Sequence, residues 1–185
     1  MAKAANTKLE QDLPEDKKTC GIIMPISGSD GYTADHWNDV KNILEEVIND
    51  IGYTPKLVSD ADEIGIIHNR IVTNIINNPI VVCDVSSKNP NVMFELGLRL
   101  AFDKPTIIIK DNETNYNFDT SPIEHLTYPR DLRYTVINSF KARLKSKLQG
   151  TISKAEADPN YSTFLKHFAQ YKPKIVTEEI PLENF

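Results

Sequence analysis

The residues best suited to chemistry lie in one stretch, 80–109, which reads IVVCDVSSKNPNVMFELGLRLAFDKPTIII. Two apolar runs, Ile80–Cys83 and Thr106–Ile109, are rich in β-branched residues and are typical of strands. The residues between them have helical spacing, and Asn89 followed by Pro90 is typical of a helix N-terminus. The stretch therefore predicts a βαβ unit with parallel strands.

Glu95 lies about one and a half turns into this predicted helix. In an open parallel sheet, ligands bind beyond the carboxyl ends of the strands. That edge should bring together five polar side chains: Asp84, Ser86, Asn89, Asn91 and Glu95. The helix dipole would stabilise an ionised Glu95, whereas burial would raise its pKa, and the sequence leaves the balance open. An ionised carboxylate beside a sugar C1 can attack it or stabilise an oxocarbenium-like transition state.

The loop Ile26–Thr33 (ISGSDGYT) is a second candidate segment, because it follows the predicted strand Thr19–Pro25 and should line the same edge. A base, ribose or phosphate would there meet a set of small and aromatic residues: Pro25, Ser27, Gly28, Ser29 and Tyr32. The Gly-x-x-Gly spacing is neither a dinucleotide-binding fingerprint nor a Walker loop, so an ordinary strand–helix connection is the competing interpretation. The Tyr32 ring could stack on a base or pack on the surface.

The string DVSSKNPNVMFELGLRLAFDKP resembles the signature of the nucleoside 2-deoxyribosyltransferase-like superfamily, a group related to the TIR-domain NAD glycohydrolases. The likeness is specific over this string and extends loosely over residues 19–145. It implies that Glu95 is the catalytic residue and that Asp84 hydrogen-bonds ribose hydroxyls, with capping of the following turn as the alternative for Asp84. Asn91 would help to orient the sugar.

The segment 88–91 reads Lys-Asn-Pro-Asn, where deoxyribosyltransferases have a further Asp and Gly-Thr. This departure favours the TIR-like and broader nucleotide-glycosidase branches.

The order of the predicted elements indicates the fold class. Apolar stripes predict helices over 36–51, 64–77 and 130–148, and short strands are expected at Thr54–Val58 and Ile123–Tyr128. This alternation predicts an α/β fold, a doubly wound and mostly parallel sheet of about five strands with helices on both faces. The resemblance implies a flavodoxin-like strand order. Gly97 suggests close packing of its helix on the sheet.

This pattern divides the chain into three predicted segments. Residues 1–18 are a flexible N-terminal arm, 19–148 the α/β domain, and 149–185 a C-terminal helical extension and tail. Within the extension, 150–158 is predicted to be a linker and Asn160–Tyr171 a short helix. The extension could cover the domain or contact a second copy, and a homo-oligomer is expected.

Composition limits the partners. The net charge of −5 argues against a nucleic-acid backbone as the main partner. Cys20 and Cys83 both lie in predicted strands, which favours buried thiols over a disulfide or a metal site. No signal peptide and no run of membrane-spanning length is evident, so a soluble, cytoplasmic protein without a membrane partner is expected.

The main functional prediction is an N-glycosidase that cleaves the base–ribose bond of a nucleotide, a nucleoside or NAD, with no cofactor beyond that substrate. Water as the glycosyl acceptor gives a glycohydrolase, whereas a second base gives a transferase such as a nucleoside 2-deoxyribosyltransferase. An alternative of another class is a non-catalytic, nucleotide-sensing TIR-like module that acts by self-association. A role in bacterial defence or nucleotide signalling is a hypothesis by analogy.

Overall fold

The computed structural model describes residues 18–28, 31–59 and 67–168, excluding the side chains of 67–70, 167 and 168. Strands and helices alternate along this part of the chain, except that the last two strands follow one another without a helix between them. The strands are β1 (Thr19–Ile23), β2 (Thr54–Leu57), β3 (Ile80–Asp84), β4 (Thr106–Asp111) and β5 (His125–Tyr128). The α-helices are α1 (Ala34–Asp50), α2 (Ile67–Asn77), α3 (Pro90–Ala101) and α4 (Tyr134–Ala157).

The five strands form one sheet with the order β2-β1-β3-β4-β5, and every neighbouring pair is parallel. This confirms the predicted doubly wound, flavodoxin-like α/β fold. The chain leaves β1 toward one side of the sheet and leaves β3 toward the other. A crevice therefore opens beyond the carboxyl ends of these two central strands, where open α/β sheets bind ligands.

Two apolar cores cover the two faces of the sheet. One contains Ile22 and Val82 with the inward sides of α1 and α4, including Trp37, which is 1% exposed. The other contains Val81 with the inward sides of α2 and α3. Burial on both faces explains why the central strands β1, β3 and β4 contain apolar runs without polar alternation. Trp37 is a core residue, as its place in the apolar stripe of the sequence predicts.

Both cysteines are buried free thiols, as predicted. Burial raises the pKa of the Cys20 thiol to about 12. Burial also raises the pKa of Cys83, and the nearby Asp84 and Glu95 add to that shift. Neither thiol is a thiolate near neutral pH, so both act as small apolar residues of the core.

The predicted start of α3 is confirmed in atomic detail. The Asn89 side-chain oxygen Oδ1 accepts hydrogen bonds from the backbone N–H groups of Asn91, at 3.0 Å, and Val92, at 3.3 Å. Pro90 occupies the first turn, where no N–H is needed. The cap fixes where the helix begins and therefore how far Glu95 lies from the strand ends.

The interpretation of Gly97 is wrong. Gly97 is exposed, and a Cβ built on it would meet no atom within 4 Å. The helix packs on the sheet through another side, which contains Val92, Leu96 and Leu100. Gly97 therefore costs α3 some intrinsic helix stability, ~1 kcal/mol relative to alanine, without allowing a closer approach.

The predicted linker over 150–158 is also wrong, because α4 continues through Gly150 to Ala157. Tertiary contacts hold this part of the helix: Ile152 packs against the core, and Glu156 Oε1 accepts a 2.6 Å hydrogen bond from Lys18 Nζ. These contacts offset the low helix propensity of a single glycine.

Residues 160–164 are not helical, in contrast to the predicted helix over 160–171, and a short 3-10 turn forms at Leu165–Phe168. Residues 169–171 of the predicted helix lie outside the described residues. The segment instead docks on the turn between α3 and β4. Asp103 Oδ1 accepts hydrogen bonds from the backbone N–H groups of Phe164, at 2.8 Å, and Leu165, at 3.1 Å.

The predicted N-terminal arm up to residue 17, and the tail from residue 169, lie outside the described residues. Among the helices that the structure describes, none combines the length and apolar character needed to cross a membrane.

Candidate functional site

A pocket of ≈ 530 Å³ lies beyond the carboxyl ends of β1 and β2, beside α2 and α3. Its volume falls in the range of small-molecule sites. The walls are mainly apolar, and a few polar side chains converge on it from the loops and from α3. The polar lining residues are Ser27, Ser59, Asn89, Asn91 and Glu95.

Glu95 is the ionisable group of this described lining. Its carboxylate is partly buried, and none of the described residues forms a hydrogen bond or an ion pair with it. Burial raises the pKa of Glu95 above its usual value of 4.5. This is the direction expected where burial has a larger effect on the pKa than the helix dipole. A pocket carboxylate that pairs with none of the described residues can take a proton, accept a hydrogen bond from a ligand, or act as a nucleophile.

Two asparagines at the start of α3 line the same pocket as Glu95. The Asn89 oxygen is used for the helix cap, so its Nδ2 group remains available as a donor. The Asn91 side chain is exposed and has no hydrogen-bond partner among the described residues. Together these amides can donate to and accept from hydroxyl groups of a ligand.

The β1–α1 loop contributes two of its predicted residues to the pocket, Pro25 and Ser27. Gly28 lies just beyond the lining, and a Cβ at this position would come within 3.1 Å of the Tyr32 carbonyl oxygen. The loop folds tightly on itself there, which explains the glycine. Ser29 lies outside the described residues. The structure therefore brings together five predicted residues: Pro25, Ser27, Asn89, Asn91 and Glu95.

Asp84 and Ser86 are not in the pocket lining, since both are fully buried. Asp84 Oδ1 accepts a hydrogen bond from the Ser86 backbone N–H at 2.9 Å, and Oδ2 accepts one from the Tyr128 hydroxyl at 2.7 Å. The first bond is the turn-capping contact that was the alternative for Asp84. Burial raises the pKa of Asp84 to about 6, although these donors oppose the shift. Contact of Asp84 or Ser86 with a substrate stays a prediction.

Tyr32 is buried in the protein. Its ring stacks on Trp37 at a centroid distance of 4.6 Å and an interplanar angle of 22°. The Arg130 guanidinium lies 3.9 Å from the centre of the same ring. The Tyr32 hydroxyl donates to Asp111 Oδ2, and burial with this hydrogen bond raises the pKa of Tyr32 to about 12. Stacking of Tyr32 on a base stays a prediction, and the described ring contacts are with the protein itself.

Exposed apolar residues at the pocket are a feature that sequence reasoning missed. Ile26, Val72 and Phe94 all line it, with exposed fractions of 61%, 36% and 65%. Phe94 left a signal in the sequence, because it adjoins Glu95 yet lies outside the apolar stripe of α3. A large apolar side chain without a place in the core is a candidate for ligand contact.

The turn between β3 and α3 is strained. Ser87 and Lys88 both adopt positive φ angles, 57° and 52°, which is unfavourable for residues other than glycine. A 3.1 Å hydrogen bond from the Ser87 N–H to Thr114 Oγ1 helps to hold this conformation. The strained turn leads directly into the cap at Asn89.

Within the described ranges, no group of three or more His, Cys, Asp or Glu side chains is arranged to hold a metal ion.

No protein-family model and no curated protein matches this chain. The solved structures that match include a 2-desoxiribosyltransferase from Leishmania mexicana, with a TM-score of 0.40 and 22% sequence identity. The alignment covers 50% of this chain and 64% of that chain, so this chain spans less than two thirds of its length. A likeness at this TM-score carries no conclusion about activity.

Proposed function

We propose that the protein cleaves the N-glycosidic bond of a nucleoside, a nucleotide or NAD, with Glu95 as the catalytic carboxylate. The observation that carries the proposal is a partly buried carboxylate without a partner among the described residues. It lies in a pocket of ≈ 530 Å³ at the carboxyl edge of the sheet.

The pocket offers separate groups for the two halves of the substrate. The amides of Asn89 and Asn91 can orient sugar hydroxyls next to Glu95. The apolar side chains of Ile26 and Phe94 offer contact surfaces for a base, and the Phe94 ring is planar. This division would hold the anomeric carbon between the asparagines and the carboxylate.

The reaction proceeds by displacement at that carbon. A Glu95 oxygen attacks the anomeric carbon, or stabilises the oxocarbenium ion beside it, while the bond from carbon to the base nitrogen breaks. The electron pair of that bond leaves with the base. A nucleobase that leaves as an anion then takes a proton, whereas nicotinamide leaves the positively charged end of NAD as a neutral molecule. Water or a second base finally takes the glycosyl group, and the acceptor decides between hydrolysis and transfer.

The experiment that tests the proposal is a base-release assay on wild type and Glu95→Gln. Each protein is incubated with deoxynucleosides, nucleoside monophosphates and NAD, and the products are identified by mass. Wild type should release a base, or nicotinamide, from one of these substrates, and Glu95→Gln should lose at least about a thousandfold in rate.

Glu45→Gln is the matched control, because Glu45 lies on α1 with an ion pair to Lys41 and away from the pocket. It should keep the wild-type rate. Equal rates for wild type and a folded Glu95→Gln would contradict the catalytic role of Glu95. Substrate binding by wild type without any turnover would instead support a nucleotide-sensing module.

The rate should also depend on pH. Glu95 must be ionised to attack, and burial raises its pKa. The rate should therefore rise with pH through a pKa above the ordinary glutamate value of 4.5.

A role in defence or signalling, and assembly into a homo-oligomer, stay predictions.

A further inference from the structure

We propose that Tyr32 is a positioning residue, whose hydroxyl, held by Asp111, fixes the β1–α1 loop against the pocket that contains Glu95. This inference rests on the proposed function, because the loop carries Pro25, Ile26 and Ser27 of the pocket lining. It assigns Tyr32 a role without substrate contact and adds Asp111 as its anchor.

Contacts with several other residues restrain the Tyr32 side chain. Trp37 stacks on the ring, Arg130 lies over it, and the hydroxyl reaches the Asp111 carboxylate. The hydroxyl also lies 3.3 Å from Thr114 Oγ1. A tyrosine whose oxygen joins an ionised carboxylate forms a charge-assisted hydrogen bond, which is stronger than a neutral one.

The anchor is itself rigid. Asp111 Oδ1 accepts hydrogen bonds from the backbone N–H groups of Glu113, at 3.0 Å, and Thr114, at 2.6 Å. The Asp111 backbone N–H donates to Ser86 Oγ at 2.8 Å. The donors around its carboxylate lower the pKa of Asp111 despite burial. Asp111 therefore offers a fixed, ionised acceptor at the end of β4.

The loop transmits this restraint toward the pocket. The Tyr32 carbonyl oxygen packs against Gly28, which adjoins Ser27 of the lining. The Gly31 carbonyl oxygen accepts a 2.6 Å hydrogen bond from Arg130 Nη2, the same guanidinium that covers the Tyr32 ring. Movement at Tyr32 would therefore shift Gly28 and the pocket residues before it.

The variant Tyr32→Phe isolates the hydroxyl, because it keeps the ring that packs on Trp37 and under Arg130. The Asp111 carboxylate would lose one donor and the loop its link to β4. We expect the described loop segments, 24–28 and 31–33, to open more often. Loss of one hydrogen bond to a charged group corresponds to about a tenfold increase in opening.

Amide hydrogen exchange read by mass spectrometry tests this link without any assay of activity. Peptides that cover 24–33 should exchange about tenfold faster in Tyr32→Phe than in wild type. The matched control is Tyr134→Phe, since Tyr134 is 82% exposed at the start of α4. It should exchange as wild type does. Unchanged exchange in the 24–33 peptides of Tyr32→Phe would overturn the proposal.

Steady-state kinetics then tests the consequence for the pocket. For the substrate that wild type turns over, Tyr32→Phe should raise KM about tenfold and leave kcat within about twofold, because the loop holds the ligand and not the carboxylate. A merely structural role would reduce the folded fraction and leave KM unchanged. Faster exchange together with wild-type KM and kcat would overturn the positioning role.

The hydrogen-exchange and kinetic experiments distinguish a failure of this inference from a failure of the proposed function. Absence of base release by wild type would refute the proposed function alone. The exchange arm would then decide whether Tyr32 and Asp111 hold the loop.

Discussion

Three carboxylates at one edge of the sheet have different pKa shifts because their surroundings differ. Asp111 accepts several donors, which lower its pKa in spite of burial. Asp84 is completely buried and accepts fewer hydrogen bonds than Asp111, so its pKa rises to about 6. Glu95 has burial alone as the cause of its raised pKa. The carboxylate that has no donor among the described residues is the one in the pocket, which is why Glu95 and not an aspartate is the candidate for catalysis.

Phe94 gives a prediction about substrate binding. Replacing it by alanine removes an exposed apolar surface from the pocket rim, so KM for the cleaved substrate should rise about tenfold, the order expected for a base that loses an aromatic partner. Stability should change little, since the side chain is 65% exposed. The measurement is KM together with thermal unfolding. Phe118→Ala, at 90% exposure on the β4–β5 loop, is the matched control. Equal KM values for the two variants would contradict a role for Phe94.

At the scale of elements, Arg99 joins α3 to its neighbours. It is fully buried, and its guanidinium donates to the Ile75 carbonyl oxygen of α2, the Pro105 carbonyl oxygen and Thr106 Oγ1 of β4. Burial lowers the pKa of Arg99 to about 10, so it stays charged at neutral pH. These contacts fix the C-terminal half of the helix, whereas the Asn89 cap fixes its start.

The variant Arg99→Met tests this connection. It keeps an extended side chain but leaves the buried Ile75 carbonyl group without this donor, whereas the Pro105 carbonyl oxygen keeps the hydrogen bond from the Val81 N–H. The free energy of unfolding should therefore fall by ~2 kcal/mol. Urea denaturation gives the value. Arg133→Met provides the control, because the Arg133 side chain is 74% exposed and its change should cost less than ~1 kcal/mol. Similar stabilities of the two variants would refute the assigned role.

At the scale of the whole molecule, a buried hydrogen-bonded network connects three strand ends. Asp84 ends β3, Asp111 ends β4 and Tyr128 ends β5, and Ser86 contacts all three. The network makes stability depend on the protonation of Asp84. Because its pKa in the folded protein lies near 6 and its ordinary value is 3.8, the native state binds more protons than the unfolded state between these pH values.

The contribution of Asp84 to the free energy of unfolding should therefore increase as the pH falls through this window. From pH 7 to pH 5 the free energy of unfolding of wild type should rise by about 1 kcal/mol relative to Asp84→Asn, which cannot titrate. His36 and His125, whose pKa values are lowered by burial, act in the opposite direction. Both variants share these histidines, so the difference between their urea-denaturation curves isolates Asp84. Parallel pH profiles would show that Asp84 has an ordinary pKa.

The sequence by itself determined the order and type of the elements from β1 to α4, because apolar periodicity, β-branched runs and the Asn89–Pro90 start are local properties. The helix predicted after α4 does not form at residues 160–164. The sequence also placed Glu95 on the correct turn of α3 and at the correct edge, since parallel strands align their carboxyl ends. It failed at Gly150 and Gly97, where contacts distant in sequence decide whether a glycine interrupts a helix or lies in a close contact.

Only the tertiary structure decided which polar residues face the pocket and which are used inside the protein. Asp84, Ser86 and Tyr32 look in the sequence like ligand contacts, yet their partners Tyr128 and Asp111 come from strands far along the chain. Burial and hydrogen bonding depend on those distant partners, and no local pattern reports them. The apolar surface of Phe94 at the pocket emerged for the same reason, because exposure is a property of the assembled fold.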